Sequence, residues 1–385
     1  MNIRSYNCVT GIEEELVTRN GHLAVVEGSP AANGNDAEYI SLPGLVDLQV
    51  NGYGGDDYSS PKLTCGDVEA ICRNVISTGT LYHLPTIITR PREVILGNLE
   101  TIETTRRRNP TVASAVRGYH IEGPFIASEE GPRGAHDPAY IRDPDPGEYR
   151  EWQAASGETI RIVTVAPERR GAIPFIERLA ADGVVPAIGH TGASPEEIRR
   201  AVAAGARMST HLGNGSHQTM PRLHNYIWEQ LAADELTAGI IADGIHLPDG
   251  VLKTFRRAKG LDRLVIVSDL SPIAGLPPGT YTWDRISVDV AADGRIGVTG
   301  SPYFAGAWRT LAQAIPVFIR ATATTLEETI ALMTTRPAEL IGLGGWYREL
   351  SSRESVTVFS VDRSSGSYRP VLSAVDGVVI HEEKE

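Results

Sequence analysis

The feature that most constrains the fold is a recurring segment in which an apolar, β-branched run ends in a polar residue and a Gly- or Pro-rich turn. Eight such segments follow one another: GLVDLQVN, LYHLPTIIT, AVRGYHIEG, IRIVTVAPE, GVVPAIGHTG, ARMSTHLGN, TAGIIADGIH and RLVIVSDLS. Strands that are apolar along their whole length are buried on both faces, as in parallel sheets covered by helices. The repeat therefore predicts a central parallel β-sheet.

Helix-like segments lie between most of these strands, at residues 67–78, 92–106, 172–182, 194–204 and 248–259. The segment Ser194-Pro-Glu-Glu supplies an N-cap, a proline at the first helical position and early acidic residues. Eight strands alternating with helices are typical of a (β/α)8 barrel of the TIM type, although an open α/β sheet with extra strands has the same local pattern. We predict the barrel, over residues 43–339.

The two ends of the chain show a different pattern. Residues 1–42 and 340–385 contain short alternating runs and turn residues, as in GHLAVVEGS, AEYISLPG and SVTVFSVDRSSGSYRPVL. Alternation of apolar and polar residues is typical of half-buried strands in antiparallel sheets. The two ends together predict a small β-sandwich domain, discontinuous in sequence, beside the barrel.

Composition limits the partners and the compartment. A net charge of −12 disfavours nucleic acid and anionic membrane surfaces as partners. No apolar run approaches the roughly 18 residues of a membrane span, and the N-terminus lacks the basic and apolar blocks of a signal peptide. Cys8, Cys65 and Cys72 are odd in number and lack Cys-x-x-Cys spacing, so a reducing compartment is the simplest setting. We expect a cytoplasmic protein that binds a small molecule.

Polar residues stand at the carboxyl ends of the predicted strands, where barrel enzymes carry their catalytic groups. In the order of the strands they are Gln49 with Asn51, then Glu122, Glu168, His190, His211, Asp243 with His246, and finally Asp269. Any one of them has an ordinary alternative as a loop residue that caps a strand or a helix. Their convergence at one end of a closed sheet instead indicates a functional site.

Three of these strand-end residues have the chemistry of a metal site. His190 and His211 leave adjacent strands, and with Glu122 they form a two-histidine, one-carboxylate set that suits Zn²⁺ or another divalent ion with an open position for water. Such an ion lowers the pKa of its bound water to about 7. Asp269, after the apolar run RLVIVSD, is the candidate proton acceptor; its alternative is a helix N-cap.

Other catalytic motifs are absent from the sequence. There is no G-x-S-x-G elbow, no Walker A loop, no G-x-G-x-x-G and no H-E-x-x-H.

A longer series of motifs carries a family resemblance. LPGLVDLQVNGYGG, LPTIIT, GYHIEGPFIASEEGPRGAHDP, VAPE, IGHTGAS, STHLGNG, IIADGIHLP and IVSDLSPIAGLPPGTY resemble, in order, the motifs of N-acetylglucosamine-6-phosphate deacetylases of the amidohydrolase superfamily. The resemblance runs from about residue 40 to about residue 310. It implies a metal-dependent hydrolase that releases acetate from an N-acetylated amino sugar phosphate.

The resemblance also implies roles for individual residues in the chemistry. The family's metal ligands match Glu122, His190 and His211, and its catalytic aspartate matches Asp269. His136 matches a histidine that approaches the acetamido carbonyl, where it could stabilise an oxyanion. Many amidohydrolases carry H-x-H on the first strand for a second metal. Here Gln49 and Asn51 stand at this vacant second-metal position, and amides are poor ligands beside imidazole, so one metal ion is expected.

The substrate contacts implied by the resemblance lie further along the chain. His246 matches a residue that contacts the sugar, and the backbone at Asn214 and Gly215 matches a turn that meets the phosphate. Arg222 falls where the family places a phosphate-binding arginine that often reaches across a dimer interface, and its alternative is an ordinary loop arginine. An arginine fork suits a phosphate. A homodimer is expected by this analogy.

The chain departs from the family in residues 212–225. The family usually reads T-H-L-x-N-A-M followed by an Arg-Glu-Pro-Gly loop, whereas this chain reads THLGNGSHQTMPRLHNYIW. The bulkier Phe304 and Trp308 lie near the family's L-A-G-S turn. The reaction is therefore predicted more firmly than the substrate. An unphosphorylated or epimeric N-acetyl sugar, an N-acyl amino acid, and a non-catalytic sugar-phosphate sensor stay open as alternatives.

Overall fold

The computed structural model describes residues 1–26, 37–283, 285–350 and 354–383. Its strands are β1 Asn2–Asn7, β2 Glu13–Arg19, β3 His22–Val26, β4 Tyr39–Leu42, β5 Val46–Val50, β6 Gly52–Tyr53, β7 Asp56–Asp57, β8 Tyr82–Ile88, β9 Tyr119–Glu122, β10 Ile160–Val165, β11 Val185–Ile188, β12 Met208–Ser209, β13 Thr237–Ile241, β14 Leu264–Val267, β15 Gly279–Trp283, β16 Ile286–Val290, β17 Ile296–Val298, β18 Val356–Asp362, β19 Ser367–Val375 and β20 Val378–Glu382.

Helices occupy most of the connections between strands. They are α1 Cys65–Ser77, α2 Arg92–Arg108, α3 Pro110–Ala115, α4 Pro146–Ala155, α5 Ala172–Ala181, α6 Pro195–Ala203, α7 Tyr226–Ala232, α8 Asp249–Lys259, α9 Leu311–Thr322, α10 Leu326–Ala331, α11 Thr335–Leu340 and α12 Gly344–Glu349. A short 3₁₀ helix spans Pro138–Tyr140. In the described parts of the chain, none of these helices combines the length and the apolar character needed to cross a membrane.

Eight parallel strands form the central sheet, in the order β14, β13, β12, β11, β10, β9, β8, β5. Each of the eight predicted runs supplies one of them. A parallel bridge between Val50 and Leu270 brings the two edges together, and the Asn51 amide donates to the Leu270 carbonyl at 2.9 Å. The sheet thereby closes into the predicted (β/α)8 barrel, and the open-sheet alternative is excluded.

Helices cover the outside of this barrel, and all five predicted helical segments are helices with ends shifted by a few residues. Apolar residues on both faces of the strands explain why the strands read as continuous hydrophobic runs. Ile121 and Val163 pack outward beneath the helices, whereas Leu48 and Ile162 fill the barrel interior. The helix α6 begins with the predicted N-cap Ser194, which forms a reciprocal capping box with Glu197.

Both ends of the chain meet in a separate sheet-rich domain, as predicted. The strand order β1, β2, β3, β20, β19, β18, β4 closes on itself, so this domain is a small barrel rather than two stacked sheets. Closure depends on pairing between distant segments, such as Val358 with Ser41 and Val378 with His22. The division of the chain at residues 42 and 340 stays a prediction.

A three-stranded antiparallel sheet, β15–β17, follows the last barrel strand. Its residue Trp283 donates a hydrogen bond from Nε1 to Oδ2 of Asp57, in the small hairpin that follows the first barrel strand. The sheet therefore links the segment after the last barrel strand, β14, to the segment after the first, β5, at the carboxyl end of the barrel.

Replacing Ser194 by alanine tests the capping box of α6. We expect Ser194→Ala to lower the free energy of unfolding by about 1 kcal/mol, because the backbone amide of Glu197 loses its acceptor, the Ser194 hydroxyl. Asparagine keeps an acceptor at this position, so Ser194→Asn is the matched control and should stay within about 0.5 kcal/mol of the parent. Urea denaturation followed by circular dichroism measures both; equal stability of the alanine variant and the parent would contradict the assignment.

Candidate active site

A cavity of about 290 Å³ opens at the carboxyl end of the barrel. The sequence-predicted residues that line it are Asn51, Glu122, His136, His190, His211, Asn214, Gly215, His246 and Asp269. Parallel pairing explains this convergence: Glu122 lies level with Ile88 on one side and Thr164 on the other, so the carboxyl ends of neighbouring strands meet at one height. Residues separated by more than 200 positions thus share one wall.

Glu122 is the centre of a tight polar cluster. Its Oε1 lies 2.8 Å from Nε2 of His211 and 3.2 Å from Nε2 of His190, and the two Nε2 atoms are 3.0 Å apart. All three side chains are buried. Burial by itself raises the pKa of Glu122, but hydrogen bonds from His190 and His211 lower that pKa well below its usual range. Glu122 is therefore an ionised carboxylate.

The hydrogen bonds around these histidines fit a cation. Nδ1 of His190 lies 2.8 Å from the carbonyl oxygen of Pro132, so Nδ1 carries a proton, and a cation that displaces the proton shared by Nε2 and Glu122 would find the lone pair of Nε2 free. That lone pair faces Nε2 of His211 and a carboxylate oxygen. A divalent ion bound between them would satisfy all three donors, and a carbonyl partner behind a ligating histidine is common in metal sites. The donor set therefore fits a metal ion.

His136 is a further imidazole beside this cluster. Its ring is 4.4 Å from that of His190, and its Nδ1 lies 2.8 Å from Oγ1 of Thr89. Burial and the neighbouring His190 lower the pKa of His136 well below its usual value, so the ring is neutral. One ligand atom each from Glu122, His136 and His190 lie within 4.8 Å of one another. His211 is nevertheless the better third ligand, because its Nε2 is the atom that closes on the other two within 3.2 Å.

Asp269 faces the cluster from the last strand of the barrel. Its Oδ1 accepts hydrogen bonds from Nδ2 of Asn51 at 2.8 Å and from Nε2 of Gln49 at 3.0 Å. Burial, followed by repulsion from Glu122, raises the pKa of Asp269 to about 6. A carboxylate with a pKa near neutrality can both accept and return a proton, which is what general acid–base catalysis requires.

Backbone conformation marks the same residues. Seven non-glycine residues in the described ranges have positive φ, and His190, His211 and Asp269 are three of them, at 49°, 28° and 55°. Each such conformation costs about 1–3 kcal/mol and persists where the surroundings enforce it, often at functional sites. The strain turns each side chain into the cavity directly after its strand.

The predicted sugar residue and phosphate-binding turn line the same cavity. Nδ1 of His246 is 2.8 Å from Oδ2 of Asp243, and the ring of His246 packs 4.4 Å from that of Phe304. Gly215 has positive φ, and a Cβ there would come within 2.7 Å of Nδ1 of His190. Glycine is therefore required at position 215 for the loop to approach the histidine.

The loop that departs from the family is tied to the rest of the site through His217. Its Nε2 lies 3.1 Å from Oε1 of Glu129, and both its backbone amide and its Nδ1 contact the Tyr226 hydroxyl. Arg222, in contrast, is exposed and lies outside the set of described residues that line the cavity. Among the predicted site residues, Arg222 is the one that lies away from the others within a single chain.

Some contributors were missed from the sequence. Thr89 ends the strand LYHLPTIIT and contacts His136, so the rule of polar strand ends could have found it. Trp283 lines the cavity from the β15–β17 sheet, which no pattern in the sequence had indicated. Glu168, at a strand end, instead accepts hydrogen bonds from Thr191 and Gly192 and stabilises the neighbouring loop.

A second cavity, of about 340 Å³, adjoins the first. The two share the residues Ile88, Gly134, Ala135, His136, Trp283 and Tyr303. The wall that carries His136 therefore faces a cavity on each side.

The amino-acid sequence is similar to those of several named proteins. The N-acetylglucosamine-6-phosphate deacetylase of Bos taurus is 33% identical over 319 residues, which is 79% of this chain and 75% of that protein. The N-acetylgalactosamine-6-phosphate deacetylase of Escherichia coli is 28% identical over 354 residues, 91% of each. No protein-family model matches the chain.

Solved structures show the same similarity. The N-acetyl-D-glucosamine-6-phosphate deacetylase of Mycobacterium smegmatis superposes with a TM-score of 0.81 at 26% identity, over 95% of each chain. The similarity covers both the (β/α)8 barrel and the sheet-rich domain.

Replacing Glu122 by glutamine tests the metal cluster. We expect Glu122→Gln to weaken binding of a divalent metal by at least about 100-fold, because a neutral amide replaces the only carboxylate of the set. Glu168→Gln is the matched control, since Glu168 is also a carboxylate at a strand end, half-buried, but lies outside the cluster. Metal analysis after dialysis and chelator competition measure both variants. Parental metal affinity in Glu122→Gln would exclude the cluster as the metal site.

Proposed function

Since the chain belongs to the N-acetylglucosamine-6-phosphate deacetylase family of the amidohydrolase superfamily, we propose that it hydrolyses the acetamide of N-acetylglucosamine 6-phosphate, releasing glucosamine 6-phosphate and acetate. The observation that carries the proposal is the convergence of Glu122, His190 and His211 with Asp269 in one cavity. A carboxylate, two imidazoles and a separate proton acceptor are the parts that metal-assisted amide hydrolysis needs.

Glu122, His190 and His211 would hold one divalent ion, and the mixed nitrogen and oxygen ligands favour Zn²⁺. When bound, such an ion lowers the pKa of water and polarises a carbonyl oxygen. Gln49 and Asn51 occupy the place of the H-x-H pair that holds a second ion in other amidohydrolases. Both point amide hydrogens at carboxylates in this structure, an orientation unsuited to a cation, which supports a single ion.

Asp269 is the proposed base and acid. Its carboxylate takes the proton of the attacking water and later delivers it to the departing nitrogen, so that the amine leaves as a neutral or protonated group. His136 is the proposed oxyanion donor. A neutral His136 whose Nδ1 accepts from the Thr89 hydroxyl carries its proton on Nε2, the nitrogen available to the substrate.

The phosphate is assigned to the backbone at Asn214 and Gly215 and to Arg222. Because Arg222 lies outside the cavity of its own chain, we infer that it acts at the cavity of a second copy in a homodimer. Leu223 and Trp228, next to it, are 71% and 49% exposed, which suits burial in a contact between subunits. No nucleic acid or membrane partner is proposed, and the proposed compartment is the cytoplasm.

A second candidate substrate is the epimer N-acetylgalactosamine 6-phosphate. The relative that bears this name aligns with more of the chain than the Bos taurus protein does, although at lower identity. The altered loop at 212–225 and Phe304 beside His246 lie on the sugar side of the cavity, where the two epimers would differ. An unphosphorylated N-acetyl sugar, an N-acyl amino acid and a sensor without catalysis are outcomes that the same substrate panel would reveal.

Asp269→Asn tests the proton-transfer step. We expect kcat to fall by about 10²–10⁴-fold, because an amide cannot accept the proton of water. Metal content should remain at the parental value, since Asp269 is not part of the ligand set. Glu168→Gln serves as the control for loss of a half-buried strand-end carboxylate and should retain kcat. Turnover near the parental rate in Asp269→Asn would remove Asp269 from this role.

The phosphate assignment is tested with paired substrates. N-acetylglucosamine and N-acetylgalactosamine, each with and without 6-phosphate, are assayed for acetate release. We expect the 6-phosphate to raise kcat/KM by about 100-fold or more, because a phosphate matched by an arginine contributes several kcal/mol. Arg222→Ala should reduce this preference and leave turnover of the free sugar unchanged, with the exposed helical Arg150→Ala as control. An unchanged phosphate preference in Arg222→Ala would contradict the assignment.

A further inference from the structure

We propose that Gln49 and Asn51 are positioning residues, which keep the two carboxylates of the site apart and orient Asp269 for proton transfer. This inference rests on the proposed function. The family resemblance gives these two positions only the place of a second metal ion. In the structure, their amide groups make three hydrogen bonds to the carboxylates of Glu122 and Asp269. Two positions that look vacant in the sequence are thus fully engaged.

Gln49 lies between the two carboxylates. Its single side-chain nitrogen donates to Oε1 of Glu122 at 2.8 Å and to Oδ1 of Asp269 at 3.0 Å. An amide NH₂ has two hydrogens, so both bonds form at once. The shared nitrogen fixes Oε1 of Glu122 and Oδ1 of Asp269 relative to each other. Gln49 therefore links Glu122, the proposed metal ligand, to Asp269, the proposed base.

Of the two carboxylates, the Asn51 side chain donates only to Asp269. Its Nδ2 donates to the same Oδ1 at 2.8 Å, so one oxygen of Asp269 receives two donors. Proton exchange with water and with the leaving nitrogen is thereby directed to the other oxygen, Oδ2. Asn51 also lines the cavity, whereas Gln49 lies beneath it. The two amides therefore have separable tasks.

The orientation of both amides follows from their neighbours. Turned over, either side chain would place its oxygen against a carboxylate oxygen, which is repulsive. In the observed orientation, Oε1 of Gln49 and Oδ1 of Asn51 are buried without a hydrogen-bond partner among the described residues. A buried acceptor without a partner is unfavourable, because nothing replaces the hydrogen bond that it would make to water. The two unpaired oxygens are retained because the nitrogens of the same amides are needed to bind the carboxylates of Glu122 and Asp269.

The experiment compares Gln49→Met, Asn51→Leu, Asp269→Asn and the Asn51→Leu/Asp269→Asn double variant, each loaded with zinc. Zinc affinity is measured by chelator competition, independently of turnover. We expect Gln49→Met to weaken zinc binding by about 10–100-fold, as loss of a partner behind a metal ligand does. Asn51→Leu should leave zinc affinity unchanged, because Asn51 does not touch Glu122.

Measurements of kcat test the second role, the orientation of Asp269 by Asn51. Asn51→Leu should lower kcat by about 10–100-fold and move the acid limb of the pH–rate profile to higher pH, because loss of a donor raises the pKa of a carboxylate. In the Asp269→Asn background, the same change should have little further effect, since Asn51 acts through Asp269. Asn51→Ala, which adds neither bulk nor a donor, replaces Asn51→Leu if the latter does not fold.

Three results would overturn the inference. They are equal loss of zinc in the two single amide variants, an undiminished effect of Asn51→Leu on the residual turnover of Asp269→Asn, and a parental pH profile in Asn51→Leu. Absence of turnover in the parent with every amino sugar would defeat the proposed function instead. The zinc affinities of Gln49→Met and Asn51→Leu would still decide whether Gln49 acts on Glu122.

Discussion

A single buried oxygen organises this molecule's site. Oε1 of Glu122 lies within 3.2 Å of nitrogen atoms from Gln49, His190 and His211, which come from three other strands of the barrel. An ionised carboxylate is costly to bury unless it is paired and hydrogen-bonded. These contacts stabilise it only because the sheet closes and brings the ends of distant strands to one level. Closure of the barrel and ionisation of Glu122 are therefore linked: in an open sheet Gln49, on β5, and His211, which follows β12, would lie five strands apart.

The same closure explains the strained backbone of the site. His190, His211 and Asp269 each have positive φ directly after their strands. The left-handed conformation turns the side chain inward where an extended residue would continue along the barrel axis. A residue held in this way has little freedom to relax, which fixes the distances between the donors. Rigid placement of a few groups contributes to catalysis because little reorganisation is needed during the reaction.

Much of the site could be predicted because barrels place function at a position that sequence can locate. Glu122, His190, His211 and Asp269 each follow an apolar run, and parallel pairing obliges their strands to end together. Closure of the β domain could not be predicted, since it depends on pairing between segments more than 300 residues apart, such as Val358 with Ser41. The contacts of Gln49 were equally inaccessible, because they depend on side-chain direction within a closed sheet. Arg222 lies outside the cavity for a similar reason: a loop arginine has no strand to fix its direction.

Charge balance gives a physical reason why amides can stand where other amidohydrolases carry two histidines. Glu122 and Asp269 are the two carboxylates of the cluster, and the surrounding imidazoles are neutral when they coordinate a metal. One divalent ion makes this set formally neutral, whereas a second would leave a net positive charge in a buried site, unless a further anion such as a shared hydroxide accompanied it. Neutral donors at positions 49 and 51 keep both carboxylates ionised without adding charge. The amides thus match the single ion proposed for this site, and histidines there would demand a different balance of charge around Asp269.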